Sequence, residues 1–429
     1  MINPFYNTLL TLGLILASPF FALKILTTSR YRRGLSQRLG VRYHRVRKKD
    51  IREKPLWIHA ASVGEVLGSL PIIKGIAQSK PHLPILLSTM TSTGNEMAEK
   101  RAPGVEAVTF FPVDHPWVVK RTISQVDPRA FFMVETEIWP NFLTELGRRK
   151  IPVVLLNGRI STRSFQWYKR FHFIFDSPLS TIAAFCMQSI SDAQRIIEMG
   201  ANPERVTVTG NVKFDQSPPE ITQREKEALL RALGLQPVQP IFIAGSTHRG
   251  EEEFVLKVYR RLSREYPDLI LILAPRHLER LAEIETLLQR ENIAWKRKSR
   301  FPGKEEEEKP SVILLDTMGE LFRLYSIGTL IFVGGSLARK GGHNILEPLF
   351  FEKPVLFGPH MDNFREISEE VLKREAGFQI SETEEMIHRC KSLLEDTSLR
   401  SIMGKRGCEI IQANRGATRK TLEMVSQFL

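Results

Sequence analysis

Residues 56–89 read LWIHAASVGEVLGSLPIIKGIAQSKPHLPILLST, and the order of elements that they predict indicates the fold class. It begins with a short apolar run at 56–59, continues with a helical pattern from Glu65 to Lys80, and ends in a second apolar run at 84–89. A strand, a helix and a strand in this order predict two parallel strands joined by a crossover helix. The stretch therefore predicts an α/β protein whose parallel sheet is covered by helices.

The same alternation continues along the chain and is interrupted once. The first half has five further apolar runs: AVTFF (107–111), AFFMV (130–134), PVVLL (152–156), AAFCM (183–187) and VTVTG (206–210). Residues 215–239 have prolines near both ends and one charged helical pattern, which is typical of a linker. The second half has IFIAG (241–245), LILILA (269–274), SVILL (311–315), TLIFVGG (329–335) and PVLFG (354–358). We predict two Rossmann-like domains, 55–214 and 240–416, that face a cleft.

Two smaller segments complete this organisation. The acidic run at 304–309 predicts a solvated loop. Residues 417–429 have a helical pattern and are expected, by analogy with proteins of two Rossmann-like domains, to pack back on the N-terminal domain.

The 429 residues have a formal net charge of +13, and most of it lies at one end. Residues 1–54 contain twelve Lys or Arg against Asp50 and Glu53, which gives this segment +10 and leaves +3 for the rest. A nucleic-acid-binding protein usually carries its basic patch on the folded body, so we expect no nucleic-acid partner. With 42% hydrophobic and 25% charged residues, the body has the composition of a globular protein and not of a disordered one.

Residues 8–26, TLLTLGLILASPFFALKIL, are close in length to the roughly 20 apolar residues that cross a bilayer. A cleaved signal peptide is the alternative, but Met1–Asn7 has no Lys or Arg, and basic residues follow the apolar run instead. Positive charge on that side predicts that the body is cytoplasmic. We predict a membrane anchor at 1–28, as a true span or an interfacial helix, and a basic juxtamembrane collar at 29–54.

The cysteine pattern argues against a disulfide framework or a zinc site. Cys186, Cys390 and Cys408 are odd in number, far apart and without the spacing of metal ligands. The chain also lacks Asp-x-Asp, the motif with which many transferases hold a metal ion. We therefore expect a reducing compartment, no metal and no cofactor.

The first predicted strand leads into Ser62 and Glu65 at the start of a helix. Ser62-x-x-Glu65 matches a capping box, in which both side chains pair with amides of the first helical turn. The functional alternative is that Glu65 accepts a proton from an alcohol, since an ionised carboxylate is stabilised near a helix N-terminus. The spacing alone leaves both alternatives open.

Charged residues follow three other strands of the first half. Glu135 and Glu137 come directly after AFFMV, although Glu137 alone is also consistent with the start of a helix. Arg159 follows PVVLL, and Lys213 follows VTVTG. Cations at strand ends suit an anionic ligand, and solvated surface charges are the alternative.

Small and polar residues follow the strands of the second half. Gly245 and Ser246 end a strand and precede a helix whose amides suit a phosphate. Arg276 follows the next strand, and Glu347 lies in the first turn of a predicted helix, where a carboxylate suits ribose hydroxyls. The glycines match neither a Walker A motif nor G-x-G-x-x-G. The charged, polar and small residues that follow the strands of both halves nevertheless predict a site for a phosphate- and sugar-bearing ligand.

Together the motifs closely resemble those of the 3-deoxy-D-manno-octulosonic acid (Kdo) transferase family. They are HAASVGE (59–65), ETEIWPN (135–141), NGR (157–159), GNVKFD (210–215), GSTH (245–248), PRH (275–277) and NILEP (344–348). The resemblance extends from about residue 30 to the C-terminus. It implies a GT-B glycosyltransferase of lipopolysaccharide biosynthesis at the bacterial inner membrane, with an N-terminal acceptor domain and a C-terminal domain for CMP-Kdo.

The resemblance also implies roles for individual residues. Glu65 is then the general base of an inverting transfer of Kdo from CMP-Kdo to the lipid A precursor, lipid IVA, and Glu135 and Lys213 stabilise the transition state. The implied CMP contacts are Pro275, Arg276, Thr317, Met318, Gly319, Asn344, Ile345, Leu346 and Glu347. Further candidates for phosphate or sugar contacts are Gly245, Ser246 and Arg159.

Two other functions are compatible with the same pattern. One is another GT-B sugar-nucleotide transferase that acts on a lipid-linked acceptor, which CMP against UDP binding would distinguish. The other is a membrane-tethered binding protein that has lost its chemistry, against which the complete set of Glu65, Glu135 and Lys213 argues. The sequence does not reveal the number of Kdo units added, the acyl pattern of the acceptor or the oligomeric state.

Overall fold

The structure is a computed structural model that describes residues 4–28, 32–41, 43, 53–216, 218–301 and 310–429. Much of the predicted basic collar and the predicted loop at 304–309 lie outside the described residues. The chain divides into two compact units, one formed by Met1–Gln216 with Asn414–Leu429 and the other by Ser217–Ala413.

The first unit is built on a parallel sheet of seven strands in the order β3-β2-β1-β4-β5-β6-β7. The strands are β1 (Leu56–His59), β2 (Ile85–Thr89), β3 (Ala107–Phe110), β4 (Ala130–Val134), β5 (Val153–Gly158), β6 (Ile182–Met187) and β7 (Val206–Val208). Side chains of β1, β2, β4 and β5 are fully buried, because helices cover both faces of the sheet.

Helices alternate with these strands. They are α1 (Pro4–Thr27), α2 (Leu35–Arg38), α3 (Val63–Ser79), α4 (Ser92–Arg101), α5 (Pro116–Val126), α6 (Pro140–Arg148), α7 (Thr162–Arg170), α8 (His172–Ser180) and α9 (Ile190–Glu198). Two clusters of buried side chains pack on opposite faces of the sheet, one around Trp57 and Phe131 and the other around Ile58 and Phe132. Successive residues of one strand thus serve opposite cores.

The second unit has another seven-stranded parallel sheet, in the order β10-β11-β9-β8-β12-β13-β14. Its strands are β8 (Ile241–Thr247), β9 (Ile270–Pro275), β10 (Trp295–Arg297), β11 (Val312–Leu314), β12 (Leu330–Val333), β13 (Val355–Phe357) and β14 (Gly377–Gln379). Its helices are α10 (Gln223–Ala232), α11 (Glu251–Glu265), α12 (Leu281–Arg290), α13 (Leu321–Leu324), α14 (Leu346–Leu349), α15 (Arg365–Lys373), α16 (Thr383–Glu395) and α17 (Thr397–Asn414). Short 3-10 turns connect several of these elements.

The α/β prediction with two doubly wound parallel sheets is confirmed. Every apolar run singled out in the sequence contains a strand, and two edge strands, β10 and β14, were not predicted. Both are three residues long and partly exposed, so neither has the apolar run that marks a central strand. Helix α10 lies inside the predicted linker, and its Leu230 is buried.

Helix α1 contains the apolar segment predicted from the sequence and continues through Pro19. It is the one helix in the described part of the chain that is long and apolar enough to cross a membrane, with a mean hydropathy of 2.1, and none of its residues is buried. At its N-terminal end the Tyr6 hydroxyl donates a hydrogen bond to Asp114 at 2.9 Å, and the Asn141 side chain donates one to Asn7 at 2.7 Å. This end therefore contacts the folded body of the first unit.

The C-terminal helix α18 (Ala417–Val425) belongs to the first unit, where it packs on α3. Leu422 of α18 lies over Gly75 of α3, where an added Cβ would come within 2.4 Å of the leucine side chain. The glycine thus allows the two helices to approach closely.

Candidate active site

The first unit has its topological switch point between β1 and β4, which are neighbours in the sheet although β2 and β3 separate them in sequence. Connections leave such a point in opposite directions and open a crevice at the carboxyl ends of the strands. Glu65 follows β1 and Glu135 follows β4, so both carboxylates lie at the crevice that the topology creates.

The structure satisfies the capping alternative for Glu65 only in part. Ser62 is the N-cap of α3, and its Oγ accepts a hydrogen bond from the Glu65 N–H at 3.4 Å. The Glu65 carboxylate accepts hydrogen bonds from the Ala61 N–H and the Ser62 hydroxyl, both at 2.8 Å. A full capping box would pair the carboxylate with the N–H of the N-cap residue itself, so here the carboxylate contacts the preceding loop instead.

The environment of Glu65 favours its protonated form. The pKa of Glu65 is raised to about 8, mainly by burial and also by the negative charges of Glu135 and Glu137, while the hydrogen bonds from Ala61 and Ser62 act in the opposite direction. A carboxylate with a pKa near the working pH is suited to accept a proton from a reacting group and release it again.

Glu135 is held in a backbone conformation that is unusual for a residue with a side chain. Its φ is 59°, and its N–H still donates to the Leu156 carbonyl at 2.9 Å, so the strand pairing continues through the residue. The carboxylate lies between two cations, with Lys213 Nζ 3.7 Å from Oε1 and Arg159 Nη2 3.8 Å from Oε2. The structure thus brings together three of the residues that the sequence singled out.

The backbone of Lys213 is positioned by a network of side-chain amides, two of which, Asn157 and Gln188, are buried. Its N–H donates to the Asn211 side chain at 3.0 Å, and Asn211 donates to the Gln188 side chain at 2.9 Å. Gln188 in turn donates to the Asn157 carbonyl at 2.9 Å, and the Asn157 side chain accepts from the Val212 N–H at 3.2 Å. Sequence reasoning missed Gln188; the sequence signal is a polar residue directly after β6.

Glu137 has two polar partners that fix its side chain. Trp139 Nε1 donates to its Oε2 at 3.1 Å, and His59 Nε2 lies 3.7 Å from the same oxygen. His59 is fully buried, and its Nδ1 lies 3.0 Å from the Ser88 hydroxyl. Glu137 is therefore part of the crevice and does not merely begin α6, which starts at Pro140.

The second unit has its switch point between β8 and β12, so its crevice lies beside Ser246 and Gly334. Ser246 has a φ of 56° at the end of β8. Gly245 packs against Tyr325, whose hydroxyl would lie 2.1 Å from an added Cβ. Gly245 therefore allows Tyr325 to pack directly on its backbone, because a side chain at this position would clash with the tyrosine hydroxyl.

Glu251, at the start of α11, is a residue whose importance the sequence did not reveal. It is buried, and its carboxylate accepts hydrogen bonds from five backbone amides. The donors are His248 at 2.9 Å, Gly335 at 2.7 Å, Ser336 at 3.0 Å, Leu337 at 2.8 Å and Ala338 at 3.1 Å. Four of these five amides belong to the glycine-containing loop after β12 and are thus occupied by the protein's own carboxylate.

Arg276 and the 344–347 segment form a second charged group at this end of the sheet. Burial raises the pKa of Glu347 to about 7, while a hydrogen bond from Asn344 and the positive charge of Arg276 act in the opposite direction. The Asn344 side chain donates to Glu347 Oε1 at 3.4 Å. Ile345 and Leu346 are fully buried, which leaves only their backbone atoms for a ligand.

Three histidines lie close enough together to form a cluster in the same unit, and the charge of Arg276 acts on two of them, His248 and His343. His248 Nε2 and His343 Nε2 lie 2.9 Å apart, and the His277 ring centroid is 5.4 Å from that of His248. Burial and the charge of Arg276 lower the pKa of His343 to about 3, and burial also lowers the pKa of His248. The group therefore combines the fixed positive charge of Arg276 with imidazole N–H groups, which suits a phosphate.

The remaining predicted CMP contacts lie on neighbouring strand ends. Pro275 is the buried last residue of β9, and Thr317–Gly319 follow β11, which pairs with β9. Met318 is 66% exposed, and the Thr317 hydroxyl donates to Glu320. Among the described residues, no group of three or more His, Cys, Asp or Glu side chains has the arrangement of a metal site.

The chain is similar to known proteins along most of its length. Residues 33–216 match the family model of 3-deoxy-D-manno-octulosonic-acid transferase (kdotransferase). A curated relative, the 3-deoxy-D-manno-octulosonic acid transferase of Haemophilus influenzae, is 35% identical over 99% of this chain and 98% of its own. The chain belongs to the Kdo transferase family.

Two other proteins are also similar to this family member, one in sequence and one in fold. A bifunctional glycosyltransferase/methyltransferase of Fusobacterium nucleatum is 37% identical over 90% of this chain and 58% of its own length. The crystal structure of UDP-GlcNAc 2-epimerase from Neisseria meningitidis has a TM-score of 0.60 and 14% identity over 87% of this chain and all of that one. The fold of this Kdo transferase is thus shared with enzymes of very different sequence.

Proposed function

We propose that this Kdo transferase moves Kdo from CMP-Kdo to a hydroxyl group of the lipid A precursor, lipid IVA, with inversion at the anomeric carbon and with Glu65 as the general base. The observation that carries the proposal is the half-buried Glu65 carboxylate at the switch point of the first unit, beside the Glu135–Lys213 pair. The Kdo transferase motifs support the choice of donor and acceptor.

The reaction needs one displacement. The acceptor oxygen forms a bond to the anomeric carbon of Kdo while the bond from that carbon to the phosphate oxygen of CMP breaks. The acceptor proton passes to Glu65, and CMP leaves with the bonding electrons. One base is sufficient, and no covalent intermediate forms, because a single in-line displacement inverts the configuration.

We assign the charge stabilisation to two groups. In the first unit, Lys213 and Arg159 flank Glu135, and Glu135 keeps the two cations in place near the reacting centre. In the second unit, Arg276 supplies positive charge for the phosphate of CMP, and Asn344 and Glu347 suit its ribose. Fixed side-chain charges thus take the role that a metal has in other transferases, and we propose no metal and no cofactor.

Helix α1 is assigned to anchoring at the inner face of the cytoplasmic membrane. The hydrogen bond between Tyr6 and Asp114 favours a helix that lies along the membrane surface, since a true span would carry Tyr6 to the opposite side from the body. Removal of residues 4–27 should release the protein from the membrane fraction on centrifugation.

The test is a transfer assay read by mass spectrometry. Incubation with CMP-Kdo and a tetraacylated disaccharide should give a product heavier by one or more Kdo units, and Glu65→Gln should abolish it. CMP, and not UDP, should raise the thermal midpoint of both proteins equally, which shows that the variant is folded. Full transfer by Glu65→Gln would remove Glu65 as the base, and stabilisation by UDP alone would favour a different sugar-nucleotide donor.

A further inference from the structure

The second unit contains a cavity of about 500 Å³ whose lining includes none of the residues assigned to the transfer reaction. Its wall includes Ile241 at the start of β8, Thr329 just before β12 and Pro354 just before β13. The cavity therefore lies at the amino ends of these parallel strands, at the edge of the sheet opposite to Arg276 and Ser246.

Basic side chains dominate the charge of this cavity. Lys226 on α10, Lys353 before β13 and Arg400 on α17 line it, together with one acidic residue, Glu352. The Arg400 guanidinium is fixed by hydrogen bonds to the Leu394 carbonyl and the Thr397 hydroxyl, both at 3.1 Å. Three cations from three separate elements thus converge on one concave surface.

Lys353 is the most unusual of the three. Burial, together with the charges of Lys226 and Arg400, lowers the pKa of Lys353 to about 8. Within the residues that the structure describes, the ammonium groups of Lys353 and Lys226 have no hydrogen-bond acceptor and no carboxylate partner. The positive charges of Lys226 and Arg400 are unfavourable for the neighbouring Lys353 ammonium group, and a bound anion would offset this repulsion.

We propose that this cavity is a second anion site, which binds a small phosphate-bearing compound through Lys226, Lys353 and Arg400. Lysine and arginine are the residues with which proteins hold phosphate groups. The hydroxyls of Thr397 and Ser401, in the first turns of α17, also line the cavity and add donors. A cavity of this volume falls in the range of small-ligand sites, so it accommodates more than a lone phosphate.

The cavity is linked by a short stretch of chain to the predicted CMP contacts. The Lys353 N–H donates to the Pro348 carbonyl at 3.2 Å, and Pro348 directly follows Glu347 in α14. The site itself does not depend on the proposed transfer reaction, because its ligand is defined by the charges of the cavity alone.

The test is titration of the full-length protein with inorganic pyrophosphate by isothermal calorimetry. Lys353→Met should raise the dissociation constant about tenfold or more, since a charge-assisted hydrogen bond to phosphate is lost, and Lys226→Met should act in the same direction. Lys405→Met is the matched control, because Lys405 lies exposed on α17 outside the cavity. Circular dichroism checks that each variant is folded.

A lipid headgroup presents the same phosphate chemistry, so a second arm measures flotation with phosphatidylglycerol vesicles. Pyrophosphate binding that depends on Lys353 identifies a soluble ligand, and vesicle binding that depends on Lys353 identifies a headgroup; either supports the anion site. If Lys353→Met and Lys226→Met leave both kinds of binding at the level of the Lys405→Met control, the proposal is wrong.

Discussion

The carboxylate of Asp215 accepts a hydrogen bond from the backbone N–H of Gly416 at 2.6 Å, two hundred residues further along the chain. It also accepts from the Thr418 N–H, so Asp215 caps the first turn of α18. Asp215 ends the same short turn that contains Lys213. The turn that contains Lys213 is therefore tied to the C-terminal helix by a single side chain.

We expect Asp215→Ala to lower both stability and turnover. Loss of the cap should cost about 1 kcal/mol, the usual value for such a helix start. Release of the Lys213 turn should lower kcat about tenfold or more, because small displacements of charged groups in an active site are costly. Urea unfolding and steady-state kinetics with saturating donor measure the two effects.

Thr222→Ala is the matched control for this variant. Thr222 and Glu225 form a complete capping box at the start of α10, away from the residues assigned to transfer. It should lower stability by a similar amount and leave kcat unchanged. An equal loss of kcat in both variants would show that Asp215 acts through stability alone.

The pH dependence of transfer should report the Glu65 carboxylate. A base must be deprotonated to act, so kcat/KM should rise with pH and level off above the raised pKa of about 8. Glu137→Gln removes one of the negative charges that raise this pKa, and its profile should therefore shift to lower pH. Glu204→Gln, on the surface of the same unit, should leave the profile in place. A rise centred near pH 4.5 in the unaltered protein would show that burial does not tune Glu65.

The strands that carry the site were predictable because they are central and apolar. LWIH, AFFMV and IFIAG are buried on both faces, so each appears as an unbroken apolar run with its polar residues just beyond. The order of the strands was not predictable, because it depends on contacts between distant segments. That order is what brings Glu65 and Glu135 to one crevice.

The residues that hold the site in place by hydrogen bonds were harder to predict from the sequence than the charged residues of the site. Gln188 and Glu251 act by hydrogen bonds to backbone groups from other parts of the chain, for which a single sequence has no spacing rule. The sequence marks Glu251 only as one of three consecutive glutamates at a helix start. Its role depends on the loop after β12 folding over it.

Glu251→Gln should disrupt that loop. The carboxylate accepts all five amides, whereas an amide side chain offers one acceptor oxygen and turns an N–H group towards other N–H donors. We expect a loss of about 2–4 kcal/mol in the free energy of unfolding and weaker CMP binding. Calorimetry gives both quantities. Glu265→Gln is the control, since Glu265 forms an exposed ion pair with Lys391 and should cost less than about 1 kcal/mol.

A glycine in α17 gives the last prediction. A Cβ added at Gly404 would lie 1.9 Å from the Glu352 carbonyl oxygen, and a backbone atom cannot move aside as a side chain can. Gly404→Ala should therefore lower the free energy of unfolding by about 2 kcal/mol or more, despite the better helix propensity of alanine.

Gly68→Ala provides the comparison within another helix, α3. Its added Cβ would meet no atom closer than 3.9 Å, so the same substitution should stabilise the protein by up to about 1 kcal/mol. Thermal unfolding of the two variants side by side gives the sign of each effect. Because Glu352 precedes Lys353, the shift that Gly404→Ala forces on α17 should also weaken pyrophosphate binding in the cavity, whereas Gly68→Ala should leave it unchanged.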